Sequence, residues 1–190
     1  MDQFYHHQSL FVFLQYWLRC KFFEIYLQNS NLGSDLWKTI WEAGIDFEIS
    51  PGCPNLIERI EGGLLSYGNE FTRENNPLEI GLAKFCSLDG SIDFIGRAAL
   101  EKIATTGVKK KIRGVTFDGN KCPTCSIPWP VMVGDEKIGQ ITSAIWSPRL
   151  KKNVGLSLID QNYWLPEQSV KVHSQDNKIR LGKISILPFI

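Results

Sequence analysis

Beyond Val108 the chain reads as a succession of short alternating runs, and this constrains its fold more than any other feature. The runs are Lys111–Phe117, Pro130–Val133, Lys137–Trp146, Val154–Ile159, Ser169–His173 and Ile179–Leu187. A strand of this length buries one face only if its edges are paired, and closing a sheet on itself removes unpaired edges. Gly134-Asp135 and Asp176-Asn177 supply residues that tolerate the positive φ of tight hairpin turns. The spacing predicts a small six-stranded antiparallel β-barrel over 108–190.

Residues 22–107 mix helix and strand patterns, which makes the whole chain α+β. Phe22–Leu27 alternates large apolar residues around Glu24, as a strand does. Leu32–Ala43 reads as a helix, with Ser34 as its N-cap, Gly44 as its stop and Trp37 and Trp41 on its core face. Phe47–Ile49 reads as a short strand. Leu56–Leu65 reads as a second helix with Leu56, Ile57, Ile60 and Leu64 inward, and Ile95–Thr106 as a third. Tyr67-Gly68-Asn69 reads as a turn in which Gly68 takes positive φ, and Ser147 as a residue that satisfies turn backbone after Trp146.

A chain of 190 residues, 43% hydrophobic and 22% charged, can bury a real core, which excludes a disordered segment. Lys plus Arg (21) against Asp plus Glu (20) leaves a net charge of +1, without the basic excess of a phosphate-driven nucleic-acid binder. Lys109-Lys-Lys111 and Lys151-Lys152 read as solvated hairpin edges. No nucleic-acid partner is expected.

Residues 1–21 form an atypical N-terminal segment. Ser9–Leu18 is apolar but short of the roughly 20 residues that span a bilayer, and its first basic residues, Arg19 and Lys21, follow the apolar run. No membrane partner is expected. Five cysteines, an odd number, suit reduced thiols in a cytoplasm better than a secreted disulfide framework. Cys122-Pro-Thr-Cys125 is a CxxC with no second ligand pair near it, so it reads as two thiols in a Pro-rich loop, with a zinc or redox site as the alternative. No metal site is expected. P-loop, dinucleotide, nucleophile-elbow and zinc-protease motifs are absent, and the three His do not assemble a catalytic set.

Five short motifs in order resemble the glycine-cleavage T-protein (aminomethyltransferase) family. They are Glu58-Arg-Ile-Glu-Gly-Gly-Leu-Leu-Ser-Tyr-Gly-Asn69, Asn76-Pro-Leu-Glu79 with Gly81-Leu82, Phe94-Ile-Gly-Arg97, Gly139-Gln-Ile-Thr-Ser143 with Ser147-Pro-Arg-Leu-Lys-Lys-Asn153, and Leu187-Pro-Phe189. The resemblance runs from Phe22 to Phe189. Pro51-Gly-Cys-Pro-Asn-Leu-Ile-Glu-Arg59, Trp129-Pro130 and Tyr163-Trp164 look most like the dimethylsulfoniopropionate demethylase branch of that family.

The resemblance implies a tetrahydrofolate-dependent one-carbon transferase. Residues 22–107 would be the C-terminal part of its folate-binding domain and residues 108–190 its C-terminal barrel. It places the family's catalytic aspartate in a part without counterpart here, so no catalytic residue is assigned and the chain alone is expected to be inactive. It also implies that the missing half leaves apolar faces uncovered, so self-association is expected.

Two residues carry over as folate contacts. Glu24 matches the glutamate of the family's F-E-I strand, where a carboxylate can accept paired hydrogen bonds from a pterin's ring N–H and 2-amino group; its spacing alone reads as an edge-strand carboxylate facing solvent. Arg59 lies one turn beyond Asn55, which stands where aminomethyltransferases carry a folate-binding arginine. By itself Arg59 reads as a surface partner of Glu58 or Glu61. Trp146 is a candidate substrate contact, because in the family the barrel closes over the far mouth of the channel.

The implied substrate is a small sulfonium or aminomethyl donor. A methyltransferase of the demethylase type leads. An aminomethyltransferase of glycine cleavage, which would add a lipoyl carrier protein as partner, is the alternative within the family. A non-catalytic folate-binding or structural module is the alternative of another class.

Overall fold

A computed structural model describes residues 10–17, 20–52, 55–90 and 92–190. The chain divides into two compact units, Met1–Pro54 and Asn55–Ile190. In the first, β1 (Leu10–Trp17) and β2 (Cys20–Leu27) form an antiparallel hairpin in whose register residue 13 pairs with Glu24. A 3-10 turn, Ser30–Leu32, then leads into α1 (Gly33–Gly44).

Sequence expectations need three corrections in this unit. Ser34 lies inside α1, whose N-cap is Leu32 with no side-chain hydrogen bond; the side-chain cap stands one element earlier, where Asn29 accepts from the Asn31 N–H at the head of the 3-10 turn. Phe47–Ile49 is no strand: a 3-10 turn, Ile45–Phe47, ends at Glu48 in the left-handed region, and the Ile49 side chain folds back over Gly44. A Cβ on Gly44 would lie 2.1 Å from Ile49, so only glycine permits that return. Third, Trp37 and Trp41 are 56% and 42% exposed and stack on one another at 6.0 Å. The helical period put them on one face correctly, but among the described residues of this unit nothing buries that face.

In the second unit α2 (Leu56–Glu61) is shorter than its apolar pattern, because Gly62 and Gly63, the latter with φ +67°, turn the chain before Leu64. Leu56 is exposed, and of the apolar residues expected inward only Ile60 is fully buried. The third helix, α3 (Arg97–Thr106), starts two residues later than its pattern, after Gly96 at φ +90°. Arg97 fixes that entry by donating to the carbonyls of Ile92 and Leu88 and to Glu101.

All six expected strands form: β3 (Lys110–Phe117), β4 (Trp129–Val133), β5 (Glu136–Ser147), β6 (Lys152–Asp160), β7 (Ser169–His173) and β8 (Ile179–Ser185). They close in the order β3-β6-β5-β4-β7-β8, every pair antiparallel. Gly134 (φ +59°) and Asn177 (φ +57°) make the hairpin turns as expected. The interior holds Val115, Phe117, Trp129, Val131, Ile141 and Ile159, with Phe117 and Trp129 edge to face at 6.2 Å. Each such fully buried side chain stabilises the fold by about 1.5–3 kcal/mol.

A second cluster lies on the outer face of β5 and β6, where α2 packs. Ile60 meets Ile145, Val154 and Leu156, and Leu187 and Phe189 cover them. Phe189 reaches in because β3 carries Gly114 there; a Cβ would stand 2.6 Å from its ring.

Candidate functional site

Side chains alternate along a strand, so Glu24 and Tyr26 share one face of β2. The Tyr26 hydroxyl donates to the Glu24 carboxylate at 2.7 Å, and that contact pushes the phenol above its ordinary value. Glu24 is half-buried, and a carboxylate with about four acceptor positions keeps room for further donors.

Asn55 does not reach toward a ligand. Its side chain accepts from the Glu58 N–H at 2.9 Å and so caps α2. Arg59 pairs with neither Glu58 nor Glu61. Its guanidinium donates to Glu70 at 2.9 Å, to the Leu64 carbonyl at 2.9 Å and to Ser143 Oγ at 2.6 Å. Glu70 is 2% exposed and also accepts from the Ser66 N–H, Thr142 and Ser143. Four donors around one buried carboxylate satisfy it fully. The cluster ties α2, the Tyr67–Asn69 turn and the bulge of β5 at Ile141–Ser143 into one piece.

A second carboxylate of this segment is also buried. Glu61 is 0% exposed and accepts from Ser147 Oγ at 2.6 Å, while Arg149 Nε lies 3.5 Å from its other oxygen. Ser147 in turn accepts from the Leu150 N–H at 3.0 Å, as its turn position led one to expect. The backbone carbonyl of Glu61 accepts from the Phe189 N–H. Sequence reasoning missed Glu61 and Glu70 as the polar centre; their signal was a carboxylate amid an apolar, glycine-rich segment.

Neighbouring this clasp is a cavity of about 470 Å³, lined by Asn69, Glu70, Thr72, Lys137, Gln140 and Thr142 among others. Trp146 sits half-buried on β5 opposite Asn153. The fully buried Asn153 accepts from the Cys122 N–H and donates to the carbonyl of Asn120, pinning the CxxC loop to the barrel. Cys122 and Cys125 are both free thiols packed against the interior. Burial pushes the Cys122 thiol up and, foremost among its causes, pushes Cys125 up to about 12. Such thiols stay protonated and are poor nucleophiles or metal ligands at neutral pH. No group of three or more metal-binding side chains occurs among the described residues.

An α+β segment leading into a closed six-stranded barrel, joined by a glycine-rich helix end and a closing Leu-Pro-Phe, defines the class of T-protein-like two-module chains. The family model for the GCVT N-terminal domain matches residues 21–90, and that for the glycine cleavage T-protein C-terminal barrel domain matches residues 110–190. The chain belongs to the glycine-cleavage T-protein (aminomethyltransferase) family.

Dimethylsulfoniopropionate demethylase DmdA of Ruegeria pomeroyi is 42% identical over 160 residues, covering 84% of this chain and 43% of that protein. An aminomethyltransferase of Caldanaerobacter subterraneus subsp. tengcongensis is 41% identical over 144 residues, covering 74% and 37%. The chain therefore spans less than half the length of either relative. The crystal structure of glycine cleavage system aminomethyltransferase T from Bartonella henselae superposes with a TM-score of 0.73 at 16% identity, over 97% of this chain and 50% of that one, and shares its fold. No helix among the described residues is long and apolar enough to cross a membrane.

Proposed function

We propose that this chain is the C-terminal portion of a tetrahydrofolate-dependent methyltransferase of the demethylase type, acting on a small sulfonium donor. Residues 22–107 complete the folate-binding domain and residues 108–190 form the barrel. The observation that carries the folate reading is Glu24 on one face of β2 with Tyr26, a half-buried acceptor beside an aromatic ring. A residue of this kind fits a pterin: the carboxylate takes its ring N–H and amino group. Tetrahydrofolate, when bound, supplies the nitrogen that accepts the one-carbon unit. Arg59, carried over by the same family resemblance, is the other candidate folate contact; it already donates to Leu64, Glu70 and Ser143, so its remaining N–H groups would offer a ligand hydrogen bonds rather than net charge. The chain itself places the cofactor, and the catalytic carboxylate belongs to the other half.

The demethylase reading gains support from Asn55, which is spent on capping α2 where an aminomethyltransferase needs an arginine free to meet folate. The test is a tryptophan-fluorescence titration of the folded 190-residue chain with tetrahydrofolate. Saturable binding that weakens about tenfold or more in Glu24→Ala is expected, the loss of one charge-assisted bidentate contact. Absence of binding in folded protein, or equal binding by the variant, removes Glu24 from the role.

A further inference from the structure

The CxxC thiols are packed against the barrel interior, and the carboxylates of Glu61 and Glu70 are held at the α2–barrel interface. Residues 111 and 113 of β3 sit in register with Ile159 and Ser157 of β6, so Lys111 and Arg113 are on the strand face that lines the barrel. Deeper along that face come Val115 and Phe117, which are core. Charge at this position of a barrel strand is uncommon, and two cations on one face of one strand repel.

Across them lies the segment after β6. Arg113 Nε donates to the Trp164 carbonyl at 2.8 Å, and Nη1 donates to its neighbour's carbonyl, Ile112, at 3.1 Å. Lys111 Nζ stands 5.7 Å above the Trp164 ring. Two of the five guanidinium N–H groups are thus used, leaving three. The carboxylates at this end of the barrel are engaged elsewhere: Asp160 faces Lys110 at 3.8 Å, and Glu136 accepts from Tyr163 at 2.6 Å. Among the described residues, no acid lies within ion-pair distance of Lys111 or Arg113.

The geometry points to an oxyanion-binding site at this mouth of the barrel, in which the Arg113 fork and the Lys111 ammonium hold a carboxylate or phosphate group beside the Trp164 indole. Partial burial pushes the Arg113 guanidinium below its ordinary value, and no anion offsets that cost. A bound oxyanion would accept the unused N–H groups in the planar, paired geometry that arginine favours, and would screen the repulsion between the two cations. This site is independent of the Glu24 reading and stands or falls without it.

The test uses the whole chain, labelled with nitrogen-15, titrated with inorganic phosphate and separately with succinate at constant ionic strength, with sodium chloride as the control for screening. The indole N–H resonance of Trp164, assigned by Trp164→Phe, is followed alongside the guanidinium of Arg113. A saturable shift with one or both oxyanions, absent with chloride, is expected; the arm that binds tighter separates a phosphate from a carboxylate ligand. Lys111→Gln should weaken binding about tenfold while leaving the melting temperature unchanged, and Arg113→Lys should weaken it although charge is kept. A response equal to that of chloride, or the same affinity in wild type and Lys111→Gln, overturns the proposal. Lys111→Gln keeps the test decisive even if the Arg113 variant does not fold.

Discussion

Arg59 and Glu70, eleven residues apart, meet at 2.9 Å with the carboxylate fully buried and the arginine side chain 17% exposed. The pair is the fixed point between α2 and the barrel, since Ser143 on β5 bonds both partners. Removing one partner strands the other in a water-poor site. Glu70→Ala should therefore cost about 3–5 kcal/mol, and so should Arg59→Ala. Replacing both, as Arg59→Met with Glu70→Leu, should cost far less than the sum. Urea unfolding of the singles and the double measures this; additive losses would mean the two residues act independently.

Ser147 does two things at the end of β5: it donates to Glu61 and accepts from Leu150. In Ser147→Ala, Glu61 Oε1 loses its donor, while Oε2 has no hydrogen bond to begin with and only Arg149 at 3.5 Å. A buried acceptor left unsatisfied costs about 1–3 kcal/mol. The urea midpoint should fall accordingly with an unchanged slope, since the surface exposed on unfolding is the same. A neutral substitution would place the holding force on the Ile60 contacts instead.

These interactions explain what the sequence did and did not reveal. The barrel strands were legible because alternation has a period of two and the hairpin glycines and asparagines sit between them. The α2 boundary was not, because Ile57, Ile60 and Leu64 keep a helical period through Gly62-Gly63, where the backbone turns. Trp37 and Trp41 have the spacing of core residues, but spacing names a face and not what covers it. Arg59 was assigned to helix neighbours because local spacing is all a sequence offers; its actual partners lie 11 and 84 residues away, and only the turn at Gly68 and the closure of the barrel bring them in. The family motifs were read as five separate signatures. In the fold, three of them, around Arg59, Ser143–Ser147 and Leu187–Phe189, are one interface.

Acid should weaken the β7–β8 hairpin through Asp176. Its hydrogen bond from Ser174 comes first, and Arg180 at 2.9 Å adds to it; both hold the carboxyl below its ordinary value. A carboxyl whose folded pKa is depressed stabilises the protein above the unfolded value, near 3.8, and that stability is lost as pH falls through the lower folded value. Asp176→Asn should be less stable than wild type at neutral pH and show a shallower loss below pH of about 4. Parallel acid curves for the two proteins would assign the slope to other carboxyls.

Alkaline conditions should expose the CxxC loop. The Cys125 thiol is pushed up to about 12 by burial first, then by Cys122 and Glu70, and its sulfur bonds the carbonyls of Ile127 and Ile141. A raised folded value means the thiol's stabilising preference is complete below the unfolded value near 9.0 and is lost as pH climbs toward 12. Only the thiolate attacks an alkylating agent, so Cys125 in the native chain should react with iodoacetamide at mildly alkaline pH far more slowly than in urea. Peptide mapping after a timed pulse reads the label at Cys125 apart from the other cysteines. Equal labelling in native and unfolded chain would contradict the buried, protonated thiol and return the CxxC to consideration as a reactive pair.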